Sequence, residues 1–379
     1  MFGNFVIGTS VLAPTGMLHE LSTGLGVSIR QASLLVTFGA VVMCLGSPLL
    51  SWSTSRWDRR VLLVGSLALI AVAQAAAALS TSFAGQLGWR LAMLVAAAPF
   101  TPQAASVAGL LVPGERRPSA IAYVFLGWSL AAAFGMPLVA TVASHVGWQW
   151  AYAGISGLAA LAGVLLAWRL PAGLKTAPVQ LSSWVELAQN PLVVLLLALT
   201  MLLTSGQFLI FTFIGPLLVR LAHATPNSVS LVFALTGLAG FVGNVIATRI
   251  VRGVGTYRTE QLSIAALALG AALFALSSGY LGWMVFGISV WGLGFASTNS
   301  MQQARLVGAA PLLAGAAVSL NTSALYIGQA LGSALGGALF ERGRDALMGY
   351  GALAFILAGT LVLVLTRPKV EPLALAQGA

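Results

Sequence analysis

The chain has 379 residues, of which 59% are hydrophobic and 7% are charged, and its formal net charge is +10 at pH 7. Soluble domains carry about 25% charged residues, so this composition excludes a soluble protein and predicts an integral membrane protein. The single cysteine excludes a disulfide framework and a metal site built from several thiolates. The basic residues form short clusters between apolar runs, which is typical of membrane loops and argues against a nucleic-acid-binding face.

Twelve apolar stretches are long enough for a transmembrane helix, which needs about 20 residues. They lie near residues 2–20, 32–52, 61–80, 85–112, 120–143, 150–168, 191–219, 228–249, 260–279, 283–305, 315–340 and 346–366. A transmembrane β-barrel would show alternating segments of about ten residues instead. We therefore predict an all-α integral membrane protein with twelve transmembrane helices, numbered here as spans one to twelve.

The loops between the spans differ in charge, and this difference predicts the orientation. One set of loops and ends holds thirteen basic residues: Arg56, Arg59, Arg60, Arg116, Arg117, Arg169, Lys175, Arg249, Arg252, Arg258, Arg305, Arg367 and Lys369. The opposite set holds four: Arg30, Arg220, Arg342 and Arg344. Because Lys and Arg concentrate in cytoplasmic loops, we predict a multi-pass protein of the inner (plasma) membrane with both termini in the cytoplasm.

The longest polar interval divides the chain into two parts of six spans each. We predict an N-terminal half at residues 1–170, a cytoplasmic linker at 171–190, a C-terminal half at 191–366 and a cytoplasmic tail at 367–379. Within the linker, the segment SSWVELAQN is either a short interfacial helix capped by Ser182 or Ser183, or plain linker.

The two halves resemble each other, since spans five and eleven each carry small residues four apart. These stripes are Gly127, Ala131 and Gly135, and Gly328, Gly332 and Gly336. Residues four apart share a helix face, and small residues there let a neighbouring helix approach closely. Gly46 and Gly243, each followed by a basic segment, are separated by 197 residues, close to the 201 residues between Gly127 and Gly328. A duplication into two pseudo-symmetric six-helix halves is the architecture of transporters that alternate access.

Four stretches carry a resemblance to a known family. They are GSPLLSWSTSRWDRR (46–60), Arg90 with PFTPQAA (99–105), FLGWSLAAAFGMPLVATVASHVGWQWAY (125–152) and SLNTSALYIGQALGSALGG (319–337). With them the chain resembles the major facilitator superfamily, closest to the twelve-helix drug:proton antiporters in the arabinose-efflux-permease-like branch. The resemblance implies a secondary transporter that exports a small molecule in exchange for protons by rocking its two halves.

The resemblance also places residues for gating and for a conformational latch. These are Gly46, Asp58, Arg59, Arg60, Gly127, Gly135 and Pro137. The family usually has an aspartate where this chain has Thr54 or Ser55. Asp58 either substitutes for that acid or simply neutralises the two arginines that follow it.

Proton coupling needs a group that binds and releases a proton, and burial suits a carboxylate or histidine to this task. None of the eight carboxylates falls in the middle of a predicted span, and the acid that relatives carry after the pair Gly8–Thr9 is missing. The candidates for coupling are His19 and Glu20, next to each other at the outer end of span one, and Arg90. Arg90 lies about two turns inside span four, where it either faces a cavity or snorkels to the interface.

Polar and aromatic residues inside the spans predict the substrate cavity. They are Gln103, Gln207, Phe208, Phe211, Trp291, Asn299, Asn321, Tyr326 and Gln329. A mostly apolar cavity with a few amides suits a small amphipathic or neutral polar ligand, and the family resemblance implies that it is sugar-like or drug-like. The alternative is that these amides only form hydrogen bonds between helices.

Proton-coupled efflux is the predicted function, and uncoupled facilitation of a neutral solute is the alternative. The spans contain neither paired aspartates nor a Ser–His pair nor a His/Glu metal cluster, so we expect no enzyme activity and no metal. No G-x-x-x-x-G-K-[ST] loop is present, so we expect no nucleotide cofactor. The expected partners are the small-molecule substrate, protons and the lipid bilayer, around a monomer.

Overall fold

The computed structural model describes residues 1–54, 56–113, 117–174 and 181–367. The helices are α1 (Phe2–Gly16), α2 (Leu18–Leu25), α3 (Ile29–Ser53), α4 (Arg59–Ala78), α5 (Phe83–Ala97), α6 (Phe100–Leu110), α7 (Arg117–Leu130), α8 (Met136–His145), α9 (Trp148–Arg169), α10 (Leu181–Ala188), α11 (Pro191–Phe211), α12 (Ile214–Ala222), α13 (Pro226–Leu276), α14 (Leu281–Ala309), α15 (Ala314–Glu341) and α16 (Ala346–Leu365). Outside the described residues lie Ser55, Arg116, Lys175, Lys369, part of the predicted linker and residues 368–379 of the predicted tail.

The all-helical membrane fold is confirmed, since eleven segments of the described residues are long and apolar enough to cross a membrane. Span one falls short of that criterion because it consists of two short helices, which meet at Met17 (φ −133°, ψ 34°). Span seven breaks in the same way at Phe213 (φ −112°, ψ 9°). The two breaks are 196 residues apart, close to the repeat offset, so both halves begin with a broken helix.

Prolines explain why these spans, predicted as continuous, contain breaks. A proline lacks the backbone N–H that would bond the carbonyl four residues earlier, and its ring crowds that turn. Pro14 precedes the break in span one, and Pro216 follows the break in span seven. Span four divides into α5 and α6 at Ala98 and Pro99. Such breaks are stable in a bilayer only where neighbouring helices satisfy the freed backbone groups.

The structure corrects two predictions about the connections. Spans eight and nine were predicted with a basic loop between them, but helical structure runs from Pro226 to Leu276 and turns only at Gly255 (φ 81°, ψ 165°). The second half of the predicted linker forms a helix, α10, as one of the two alternatives held. Ser182 and Ser183 lie inside α10, so neither of them is its N-cap.

The glycine stripes pack each half in the same way. A Cβ atom added at Gly127 would lie 2.5 Å from the carbonyl oxygen of Met1, at the start of α1. One added at Gly328 would lie 2.5 Å from the carbonyl oxygen of Met201, in α11. Span five therefore packs on span one as span eleven packs on span seven, and glycine is needed at both contacts because any side chain would overlap the neighbouring backbone.

Helices α3 and α15 run antiparallel along the interface between the two halves. Arg30 at the start of α3 forms an ion pair with Glu341 at the end of α15. Further along, Thr37 Oγ1 donates to Ser333 Oγ over 3.2 Å, and Ser323 Oγ donates to the Cys44 carbonyl over 3.0 Å. We call the membrane surface with Arg30 and Glu341 the Arg30 face, and the opposite surface the Arg305 face.

A second contact between the halves joins α13 to a π-helical turn, Ala131–Gly135, between α7 and α8. A Cβ atom at Gly237 would overlap the Ala132 carbonyl oxygen and lie 2.5 Å from the Ala133 Cα. The backbone of α13 therefore contacts the backbone of the π-helical turn, and this contact is possible only because Gly237 has no side chain. π-helical turns occur frequently at functional sites.

We expect Gly237→Ala to destabilise the protein, because the added methyl group forces the two halves apart. Overpacking of this kind costs about 1–3 kcal/mol. Gly240→Ala is the matched control, since its Cβ atom would lie 3.5 Å from the nearest atom, the Gly292 carbonyl oxygen. The measurement is the thermal unfolding midpoint of each purified variant in detergent. Equal midpoints for the two variants would contradict the close contact at Gly237.

Candidate transport site

Arg90 is buried in α5 and holds the broken first span. Its side chain is 4% exposed, whereas its neighbour Trp89 is 41% exposed. Its Nη1 donates to the carbonyl of Ser10 over 2.5 Å, and its Nη2 donates to the carbonyl of Val11 over 2.6 Å. Pro14 has no N–H for the Ser10 carbonyl, so the guanidinium supplies the missing donor. The snorkelling alternative for Arg90 is therefore wrong.

The surroundings of Arg90 leave its charge without a carboxylate partner among the described residues. The ionisable side chains that interact with it electrostatically are Tyr152 of the same half and Tyr326 of the other half. The missing side chain of Gly39 leaves room for the guanidinium, because a Cβ atom there would lie 3.6 Å from Arg90 Nε. Within the described chain, Arg90 Nε itself has no hydrogen-bond partner. A buried cation with an unused donor thus lies where the two halves meet.

Four aromatic rings form one cluster in the C-terminal half, and three of them are predicted cavity residues. Phe211 lies 5.5 Å from Phe208, 6.0 Å from Trp291 and 5.0 Å from Phe295, measured between ring centroids. Trp291 and Phe295 are 4.9 Å apart. The structure therefore brings span seven and span ten together through these four rings.

Two buried amides on the helices that carry these rings have no hydrogen-bond partner among the described residues. Gln207 precedes Phe208 in α11, Gln302 lies in α14, and both are 1% exposed. Neither the nitrogen nor the oxygen of either amide is bonded, and the same holds for the Trp291 indole nitrogen. Burying an amide without a partner costs about 1–3 kcal/mol, so these groups mark a place where a polar ligand or water is expected.

The other predicted cavity residues divide into those with a structural partner and those without. Asn321 accepts a hydrogen bond from Thr200 Oγ1 over 2.7 Å, as the interhelical alternative held. Asn299 is half-buried and its amide donates to its own helix, at the Phe295 carbonyl. Gln103 is 6% exposed and Gln329 is 4% exposed, and in the described residues no hydrogen bond joins either one to the rest of the set.

A polar network in the N-terminal half was not predicted from the sequence. Asn4 Nδ2 donates to the Val124 carbonyl over 3.0 Å, and Thr101 Oγ1 donates to Asn4 Oδ1 over 3.0 Å. Trp128 Nε1 donates to Thr101 Oγ1 over 3.1 Å. The network joins spans one, four and five. The available signal was a polar side chain within each apolar span, which by itself does not reveal a shared contact.

The histidines and Glu20 lie at helix ends near the Arg30 face. His19 is exposed and Glu20 is half-buried, both in α2. His145 ends α8 and His223 follows α12, and both are exposed. Their positions fit solvated groups better than a buried proton relay.

The predicted latch residues around Asp58 make contacts within the N-terminal half. Asp58 caps α4 by accepting from the backbone N–H groups of Arg60 and Val61, and the N–H of Gly173 also donates to it. The Gly173 N–H holds the pKa of the Asp58 carboxyl below its usual value. Arg59 is 1% exposed and donates from Nη1 to the Thr54 carbonyl over 2.9 Å.

The remaining gating candidates are small residues at helix contacts. A Cβ atom at Gly46 would lie 3.3 Å from the Ala98 Cβ, at the break in span four. One at Gly135 would overlap the hydroxyl of Thr9 in α1. Pro137 begins α8 directly after the π-helical turn. All three therefore lie where one helix bends or contacts another.

A buried ion pair at the Arg305 face was also not predicted from the sequence. Glu260 is fully buried and pairs with Arg305 of α14, which the charge pattern had assigned to a solvated loop. Arg305 Nη2 also donates to the Thr366 carbonyl over 2.9 Å and to Thr366 Oγ1 over 2.7 Å. The pair joins spans nine, ten and twelve. The two residues are 45 positions apart, and no local pattern links them.

Comparison with known proteins agrees with this architecture. Residues 1–333 match the profile described as Major Facilitator Superfamily. The protein named inner membrane transport protein YdhP from Escherichia coli (strain K12) is 28% identical, over 99% of this chain and 96% of its own length. A "Probable sugar efflux transporter" from Mannheimia succiniciproducens is 24% identical, over 92% of this chain and 88% of its own.

Solved structures share the fold at low sequence identity. A point mutant of the peptide transporter POT superposes with a TM-score of 0.79 at 14% identity, covering 96% of this chain and 92% of that one. The D-xylose-proton symporter superposes with a TM-score of 0.74 at 15% identity, covering 95% of each chain. The chain is a multi-pass membrane transporter and not an enzyme, and it belongs to the major facilitator superfamily.

Proposed function

We propose that the protein exports a small uncharged solute, sugar-like or amphipathic, across the inner membrane by alternating access, with the Arg305 face in the cytoplasm. The observation that carries this proposal is that two unpartnered buried amides, Gln207 and Gln302, lie on α11 and α14, the two helices that supply the cluster of four aromatic rings. The name of the relatives called "Probable sugar efflux transporter" supports the same solute class and direction.

The chemistry of these amides and rings suits hydroxyl groups on an apolar frame. Each amide offers a donor and an acceptor, which together match neighbouring hydroxyls. Aromatic rings supply a flat apolar surface that packs against the C–H groups of a ring-shaped solute. None of the four rings and two amides carries a charge, so these six side chains supply no counter-charge for an ionic solute.

Proton coupling through Arg90 is the finer part of the proposal. The guanidinium bonds two carbonyls of span one and lies near enough to Tyr326 of the opposite half to interact with it electrostatically. Rocking of the halves changes the distance between these groups and hence the electrostatic field in the cavity. Glu20 and His19, the other coupling candidates, lie at the end of the same broken span.

Uncoupled facilitation is the second candidate function, and one observation favours it. The described carboxylates lie toward the ends of the spans or in connections, and the two buried ones, Glu260 and Asp345, pair with Arg305 and Arg220. No described carboxylate therefore lies at mid-membrane, where a proton carrier is expected.

We expect Gln207→Ala to weaken the apparent affinity for the solute about threefold to tenfold, the effect of one lost neutral hydrogen bond. The measurement is uptake of labelled mono- and disaccharides into everted vesicles. Gln74→Ala is the matched control, because Gln74 is also a buried amide with an unpartnered nitrogen but lies in α4, outside the cluster. Equal losses in the two variants would remove Gln207 from the solute site.

We expect Arg90→Ala to abolish solute-driven proton movement, because the cation that responds to rocking is gone. The assay adds the same sugars to everted vesicles with an imposed pH gradient and follows the gradient and the labelled solute together. Arg90→Lys keeps the charge but cannot bridge both carbonyls, so we expect partial coupling. Gel filtration establishes that each variant is folded.

Two results of this assay would contradict coupling through Arg90. Collapse of the gradient that survives Arg90→Ala would reduce Arg90 to a structural role in span one. Movement of labelled solute in the unaltered protein without any collapse would favour facilitation.

We expect Arg30→Gln to favour opening at the Arg30 face, because the exposed ion pair with Glu341 holds the halves together there. An exposed pair contributes up to about 1 kcal/mol, so the open population rises at most about fivefold. The readout is labelling of Ser33→Cys by an impermeant maleimide in intact cells, in a Cys44→Ala background. Ser33 is 1% exposed and lies against Gly337.

Glu341→Gln should have the same effect as Arg30→Gln, since either change removes the pair. Arg342→Gln is the control for charge alone, because Arg342 is exposed next to Glu341 and forms no ion pair among the described residues. Unchanged labelling in both Arg30→Gln and Glu341→Gln would show that the pair does not hold the halves together.

A further inference from the structure

A cavity of about 550 Å³ opens at the Arg305 face, apart from the transport site. It lies between the chain around Gly255, where α13 turns, and the end of α16. Its polar lining comes from Thr256, Tyr257, Arg258, Gln261 and Arg367. These residues lie within about two helical turns of the ends of two predicted membrane spans, so the cavity is at the level of the lipid headgroups.

The cavity carries an uncompensated positive charge. Arg258 and Arg367 are both exposed, and neither forms an ion pair among the described residues. No carboxylate of the described chain lines the cavity. The acid nearest to Arg258 in the sequence, Glu260, is buried and pairs with Arg305. Two guanidinium groups are thus left to face the same space.

The wall behind the two arginines is fixed by the buried ion pair. Arg305 bonds Thr366, the residue before Arg367, through both its carbonyl and its hydroxyl. The guanidinium of Arg305 also lies 5.2 Å from the centroid of the Tyr257 ring, next to Arg258. Both cavity arginines therefore follow residues that Arg305 holds in place, which makes the site partly preorganised for a ligand.

We propose that this cavity binds the headgroup phosphate of an anionic phospholipid of the cytoplasmic leaflet. Guanidinium groups bind phosphate oxygens in a bidentate manner, and basic pockets between transmembrane helices on the cytoplasmic side suit lipid phosphates. Val254 and Val364, 41% and 55% exposed, form an apolar rim against which the acyl chains pack. The exposed apolar rim favours a lipid over a free anion, because a free anion would leave Val254 and Val364 uncovered.

The test compares lipid retention by the purified full-length protein and its variants, measured by native mass spectrometry with added phosphatidylglycerol or phosphatidylcholine. We expect the unaltered protein to retain phosphatidylglycerol preferentially, and Arg258→Gln with Arg367→Gln to lose this preference by about tenfold. The matched control is Arg342→Gln with Arg344→Gln, which removes the same charge from the opposite face and should leave the preference unchanged. Arg258→Lys with Arg367→Lys should lose part of the preference, because each ammonium keeps the positive charge but cannot bind phosphate in the bidentate manner of a guanidinium.

Three outcomes would overturn the proposal. Equal losses in both glutamine double variants would mean that bulk charge, and not this cavity, attracts the lipid. An unchanged preference in the cavity variant, with its fold verified by gel filtration, would place the lipid elsewhere. Competition by millimolar inorganic phosphate against phosphatidylglycerol would assign the site to free phosphate. The readout measures no transport, so failure here is distinguishable from failure of the proposed function.

Discussion

A backbone carbonyl that loses its helical donor inside a bilayer must find another, because the hydrocarbon offers none. Pro14 leaves the Ser10 carbonyl of the first span without its helical donor. The guanidinium of Arg90 donates to this carbonyl and to that of Val11. The bonds tie the first span to the fourth and bring a cation, with one N–H unused among the described residues, to the interface between the halves. The break, the buried charge and the geometry of the candidate coupling site thus have one origin. Arg90 is a structural residue and a candidate for function for the same reason.

The two halves share a packing scheme that the glycine spacing encodes. Gly127 and Gly328 contact the backbones of spans one and seven at equivalent places, and those spans break 196 residues apart. Close backbone contact within each half leaves the halves as compact bodies. Between them, Gly237 and the π-helical turn form another contact without side chains. Two closely packed halves that meet at glycine contacts are the architecture on which the proposed rocking motion depends.

Much of the fold followed from the sequence, because apolar length and loop charge are local properties. The helical class and most of the span positions were predictable in this way. What escaped prediction depends on contacts between distant residues. Nothing near Glu260 indicates that Arg305 lies beside it, so a charge at a span end was assigned to solvent. The breaks escaped as well, since proline also occurs in straight membrane helices.

The ion pairs Arg30–Glu341 and Glu260–Arg305 lie at opposite faces and differ in their access to water. The pair at the Arg305 face is sealed from the medium, whereas Arg30 and Glu341 are 52% and 46% exposed at their side chains. Mobile ions screen exposed charges over about 8 Å at physiological ionic strength and reach buried ones much less. The Arg30–Glu341 contact between the two halves therefore weakens as the ionic strength of the medium rises, while the buried Glu260–Arg305 pair is little affected. The ionic strength of the medium at the Arg30 face therefore affects the Arg30–Glu341 pair more than it affects the Glu260–Arg305 pair at the opposite face.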